Sequence, residues 1–146
     1  QIGARAVGKA TRILDLTVDY AKERSQFGKS LDKFQMIQQM LADSAIEINS
    51  ARLALLHTAW EADHDRDVSP RISMIKVQAA ETLCRVADRA VQIYGGLGYC
   101  RDLPIERYYR DARIYRIYDG ASEIHRTIIA RSISKENQYL YKLNLT

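Results

Sequence analysis

The chain has 146 residues, enough for one domain around a single buried core. Hydrophobic residues make up 47% and charged residues 27%, which excludes a disordered chain. A net charge of +4 suits an anionic ligand or partner but does not by itself indicate a nucleic-acid surface.

From the N-terminus, Ile2, Ala6, Ala10, Ile13, Leu14, Thr17 and Ala21 share one face at helical spacing and predict a first helix over residues 2–23. Gly28 and Ser30 interrupt the pattern. Phe34, Ile37, Leu41, Ala45, Ile48, Arg52, Leu55, Ala59 and Ala62 then predict a long second helix, closed by the charged patch Asp63-His-Asp-Arg-Asp67. Ser69-Pro70 reads as the start of a third, with Ser69 as N-cap and Pro70 at the first helical position. Ile72, Ile75, Ala79, Leu83, Val86, Ala90 and Ile93 continue it to Gly95-Gly96. Pro104 opens a fourth helix to about Tyr115, with Ile105, Tyr109 and Ala112 inward. Ser122 is placed to cap a short fifth, with Ile124, Ile128 and Ile129 apolar. No segment asks for a strand. Long helices with short connections bury their stripes against one another, so the expected fold is all-α: an up-and-down bundle of four main helices plus a short C-terminal one, over residues 1–133. Residues 134–146 read as a tail that is frayed or docked elsewhere.

Cys84 and Cys100 form no Cys-x-x-Cys pair and have no ligands beside them, so they read as free thiols of a reducing intracellular compartment. Glu61-Ala-Asp-His64 has di-iron spacing but no second copy, and no metal is expected. His57 and His125 read as solvated or packed. No apolar run approaches the ~18–20 residues of a membrane span. The chain opens on Gln1 inside a helical pattern and reads as a piece of a longer protein.

Chemistry is concentrated in short segments. Arg24-Ser-Gln-Phe-Gly28 puts a cation at a helix end, where it either offsets the dipole or meets a diphosphate. Gln92-Ile-Tyr-Gly-Gly-Leu-Gly-Tyr99 ends a helix in closely spaced glycines, which serve as a C-cap, as a close backbone approach to a ligand, or as both. Ile117-Tyr-Asp-Gly-Ala-Ser-Glu-Ile124 carries one carboxylate, Asp119, on a turn between helices. On its own, Asp before Gly is an ordinary turn pairing. Arg107, Arg110, Arg113 and Arg116 alternate with tyrosines, as on a nucleic-acid surface, or else pair with Glu106 and Asp111 along a helix.

Taken in order and at these separations, the segments resemble the C-terminal domain of the acyl-CoA dehydrogenases, over about Ala4 to Arg131. The resemblance implies an FAD-dependent oxidoreductase of fatty acid metabolism that oxidises an acyl-CoA to a trans-2-enoyl-CoA. It implies a homodimer or homotetramer, with an electron-transfer flavoprotein as acceptor. In the family, the positions of Arg24, Gln26, Phe27 and Gln35 hold the FAD of a neighbouring subunit, as do those of Gln92, Ile93, Tyr94, Gly95 and Gly96. Phe34 departs from the family's His. Asp119 stands where most members carry the glutamate base, with Tyr118 and Gly120 beside the substrate. Its side chain is one C–C bond, about 1.5 Å, shorter. Ala121 replaces a Thr near the flavin; Ser122 and Glu123 match. Some members place the base on the entering helix, at a position that falls before Gln1. A nitroalkane-oxidase-like flavin oxidase, which uses Asp at this turn, is the first alternative, and a non-catalytic assembly or DNA-binding bundle the second. By itself the stretch is expected to be inactive.

Overall fold

The computed structural model describes residues 1–64, 67–135 and 140–141. Among these, helix α1 (Ile2–Glu23) leads through two short strands, β1 (Ser25–Gln26) and β2 (Lys29–Ser30), into α2 (Gln35–Asp63). Helix α3 (Ser69–Tyr94) follows, then the single turn α4 (Gly96–Tyr99), α5 (Ile105–Arg113) and α6 (Ser122–Ser134). The all-α bundle is as expected.

Helix α3 is the axis, in contact with α1, α2, α4, α5 and α6. The core that α1 and α3 share is rich in small residues, Ala6 and Ala10 of α1 and Ala79, Ala80, Ala87 and Ala90 of α3. Small side chains bring helix axes close. Gly3 extends the seam, since a Cβ there would lie 2.6 Å from Ile75 Cγ2. Ile13, Leu83, Val86, Ile105 and Tyr115 fill the remaining space and are fully buried. Each aliphatic member contributes ~1.5–3 kcal/mol. At one end of the bundle Gly3 meets Ile75; at the other, Tyr20 stacks on Tyr94 with ring centroids 4.0 Å apart. α1 and α3 are therefore parallel. Arg52 of α2 donates to Thr11 of α1 at 2.9 Å, and α2 runs back between the ends.

Several local expectations need correction. A strand pair does form: Ser25 faces Ser30 and Gln26 faces Lys29, around Phe27 and Gly28 at φ +51° and +79°. Two successive positive φ values make the turn whose twist matches a hairpin. Ser69 is not the N-cap of α3 but its first residue; Val68 caps, and the Asp67 carboxylate accepts from the Ser69 N–H at 3.0 Å. Ser122 likewise is the first residue of α6, capped by Ala121, and its hydroxyl is buried without a partner among the described residues.

The inward face of α2 is Ser44, Ile48, Ala51, Thr58 and Glu61, so Ala45, Arg52, Ala59 and Ala62 face out. Helix α2 carries apolar residues on both sides, and Ile46, Leu53, Leu56 and Trp60 form a second, exposed strip. Ile72 and Tyr109 are also exposed, and Tyr115 rather than Tyr109 anchors the α5 end. Helix α6 meets α3 through His125 and small polar positions, which leaves Ile124 and Ile128 outside and Ile129 half-buried. Most of the tail lies outside the described residues; Leu140 is buried.

Candidate functional site

The turn between α5 and α6 begins in a short 3₁₀ segment, Ile114–Arg116. Tyr115 is buried there, and Tyr118 packs edge-on against it with centroids 5.2 Å apart. Partial burial, with the Tyr115 phenol alongside, pushes the Tyr118 hydroxyl up to about 12. The chain then reverses through Asp119 at φ +50° and Gly120 at φ +89°. Asp is among the few non-glycine residues that tolerate this region.

Two side chains from other elements grip the backbone of this turn. Lys76 of α3, 5% exposed, donates its ammonium to the Gly120 carbonyl at 2.5 Å. Burial pushes Lys76 below the usual lysine value, while the Asp119, Glu123 and Glu81 carboxylates pull it back up. His125 Nε2 lies 3.0 Å from the Asp119 carbonyl, and its Nδ1 lies 3.1 Å from the Ser73 hydroxyl. A carbonyl only accepts, so Nε2 carries the proton, and in the neutral ring Nδ1 accepts from Ser73. A Cβ at residue 120 would lie 2.7 Å from His125 Nε2, so glycine is required on space as well as on φ.

Held this way, Asp119 lines the rim of a cleft of about 460 Å³. The walls are Ile2 and Gly3 of α1, Leu55, Ala59 and Ala62 of α2, and Val68, Ile72 and Ile75 at the start of α3. Lys76 and His125 also line the cleft. The Asp119 side chain has no ion pair among the described residues. Glu123 is exposed, Ala121 half-buried and Ser122 turned inward.

The remaining expected site residues gather at the opposite end of the bundle. Arg24, Gln26, Gln35, Gln92, Gly95 and Gly96 are exposed there, and Phe27 is 92% exposed. A hollow of about 620 Å³ lies between the hairpin and the start of α2, lined by Gln26, Phe27, Phe34 and Gln35 together with Lys29 and Lys33. Lys29 sits 4.3 Å above the Phe34 ring. Gly95, at φ +61°, caps α3 by donating to the Val91 carbonyl at 2.9 Å, and the space around Gly95 and Gly96 is open. Ile93 and Tyr94 turn their side chains into the bundle; the Tyr94 hydroxyl donates to the Leu16 carbonyl at 2.8 Å, which leaves only their backbone to a ligand. This end offers a free aromatic face, amide side chains, cations and bare backbone, a donor set that fits the nucleotide and diphosphate of FAD.

α1 has 22 residues, so the two ends lie about 33 Å apart at 1.5 Å per residue. Within one chain the two groups of residues therefore lie at opposite ends of the bundle.

Sequence reading missed Lys76, Ser73 and His125 as site residues. The Glu61 carboxylate, part of the di-iron-like spacing, is taken by Arg71 at 2.6 Å. In the arginine ladder, Arg107 pairs with Asp111, Arg110 with Glu106 and Arg116 with Glu81.

The family model described as acyl-CoA dehydrogenase, C-terminal domain, matches residues 1–134. A probable acyl-CoA dehydrogenase of Bacillus subtilis, YngJ, is 45% identical over 134 residues, covering 92% of this chain and 35% of its own length. The structure of butyryl-CoA dehydrogenase from Megasphaera elsdenii superposes with a TM-score of 0.89 at 35% identity, over 91% of this chain and 35% of that one. PigA with FAD and proline superposes at 0.88 with 30% identity, over 92% and 35%. The chain thus spans about a third of the length of the proteins it matches.

Proposed function

The chain belongs to the acyl-CoA dehydrogenase family, whose C-terminal domain it spans, and on that premise we propose that the protein carrying it oxidises an acyl-CoA at its α,β-bond. Asp119 is the base. Its carboxylate takes the α-proton, and the electron pair of that C–H bond becomes the new double bond. Bound FAD supplies the acceptor for the hydride that leaves the β-carbon. The observation that carries this reading is the Asp119 side chain, without an ion pair among the described residues, in the lining of a largely apolar cleft and on a turn fixed from both sides. A carboxylate without an ion-pair partner, in reach of the proton, is what general base catalysis needs.

Arg24, Gln26, Phe27, Gln35 and the backbone of Gln92–Gly96 would hold the diphosphate and nucleotide of a partner subunit's FAD. The 33 Å separation supports that division, because the flavin met by Asp119 is then a different one. Assembly as a homodimer or homotetramer follows, and the exposed apolar strip on α2 is of the kind that assembly covers. An electron-transfer flavoprotein is the proposed acceptor. The ion pairs along the arginine ladder take charge off the surface a nucleic acid would read, and the flavin oxidase alternative draws no support from the relatives named above. No helix of the described residues is long and apolar enough to cross a membrane.

The test is Asp119→Asn in the full-length protein, assayed with butyryl-CoA and a dye acceptor. Turnover is expected to fall on the order of a thousandfold with flavin content unchanged. Undiminished turnover would put the base elsewhere.

A further inference from the structure

We propose that Lys76 and His125 are positioning residues for Asp119: each grips one carbonyl of the reactive turn, and together they fix the direction of a carboxylate one bond shorter than a glutamate. The inference rests on the reading of Asp119 as base. Its own support is geometric. Asp119 and Gly120 both have left-handed backbone, which an L-residue leaves for other regions unless its surroundings hold it. The two carbonyls of this pair are the two that are bonded, Gly120 to Lys76 and Asp119 to His125. Neither donor comes from the turn itself: Lys76 lies more than forty residues upstream on α3.

The donors are themselves fixed. Lys76 is almost wholly buried, so its ammonium cannot swing to solvent without repacking. The His125 ring is held from behind by Ser73, a buried hydroxyl one helical turn before Lys76. Gly120 completes the arrangement, because only a residue without a side chain lets the imidazole approach so closely. A structural clamp would need to grip only the helix ends. Gripping the reactive residue's own carbonyl transmits any tilt of the imidazole directly to the carboxylate, and a displacement of ~1 Å costs on the order of a hundredfold in rate. A shorter side chain has fewer rotatable bonds with which to correct such a tilt, so backbone control matters more for Asp than for Glu.

The experiment compares His125→Phe, His125→Gln, Lys76→Met, Ser73→Ala and Asp119→Asn in the full-length protein. It measures kcat and KM for butyryl-CoA, exchange of the α-proton in deuterated buffer, and the thermal midpoint. His125→Phe and Lys76→Met are expected to lower kcat and α-proton exchange on the order of tenfold to a hundredfold, with KM moved less than about threefold. His125→Gln, whose amide N–H replaces the imidazole donor, is expected to recover most of that loss. Ser73→Ala, which frees the ring without emptying its space, is expected to lower kcat by about threefold to tenfold and keeps the question open to measurement if His125→Phe does not fold. Undiminished kcat in the His125, Lys76 and Ser73 variants, with Asp119→Asn inactive, overturns the positioning role and leaves the base standing. Losses that track the thermal midpoint and are not recovered by His125→Gln reduce the pair to structural support and also overturn it. Turnover surviving in Asp119→Asn removes the base and this inference with it.

Discussion

The conformation of the Asp119 turn depends on residues unlike Asp119 itself. Gly120 admits the imidazole of His125, and Tyr118, packed on Tyr115, sets where the turn begins. Replacing Gly120 by Ala puts a methyl 2.7 Å from His125 Nε2 and an L-residue at φ +89°. The expected result is ~1–3 kcal/mol of strain, relieved by a shift of the turn. Steady-state kinetics of Gly120→Ala should therefore show kcat down on the order of a hundredfold. The calorimetric midpoint should fall by no more than a few degrees. At this scale the sequence told half of the story. Asp119 was legible because its neighbours in the chain, Tyr118 and Gly120, form a recognisable turn. Lys76 and Ser73 were not, because periodicity assigns a residue to a face and says nothing about which loop that face will meet. Lys76 even interrupts an apolar stripe, and a buried lysine on such a stripe was the one available signal.

Among the elements, α3 decides the architecture and α2 shows the limits of reading stripes. Strong periodicity fixed α1 and α3 correctly, since each has one apolar side. α2 has two, and the stripe read at steps of three and four runs between them, so it includes Ala45, Arg52 and Ala59, which are exposed. What pins α2 in its actual rotation is polar. Glu47 receives Arg85 at 2.9 Å and Arg89 at 2.7 Å from α3. Burial pushes the Glu47 carboxyl up, but the hydrogen bonds from Arg89 and Arg85 outweigh it and leave it below its ordinary 4.5. A depressed carboxyl stabilises the fold fully above that ordinary value and loses the contribution as pH falls through the folded pKa. Glu47→Gln is accordingly expected to cost about 1 kcal/mol near neutral pH. Denaturation curves of parent and variant should converge as the buffer is taken below pH 4.5.

For the whole molecule, the bundle was legible and its surroundings were not. Helical stripes with short connections leave few ways to pack, so an all-α fold followed from pattern alone. The outer strip of Ile46, Leu53, Leu56 and Trp60 had no such reading, because which apolar face turns inward depends on partners a stripe does not name. The parallel run of α1 and α3 has the widest consequence. It sends Asp119 to one pole of the domain and Arg24 to the other; in the proposed assembly each subunit then gives its carboxylate to one active site and its arginine to a different one. Two crippled parents can then rescue each other. In a mixed pair of Asp119→Asn and Arg24→Ala subunits, one site inherits both lesions and the other inherits neither. Co-expression at equal levels should restore roughly a quarter of the sites from variants that are defective when made alone, an arithmetic that a self-contained active site would never produce.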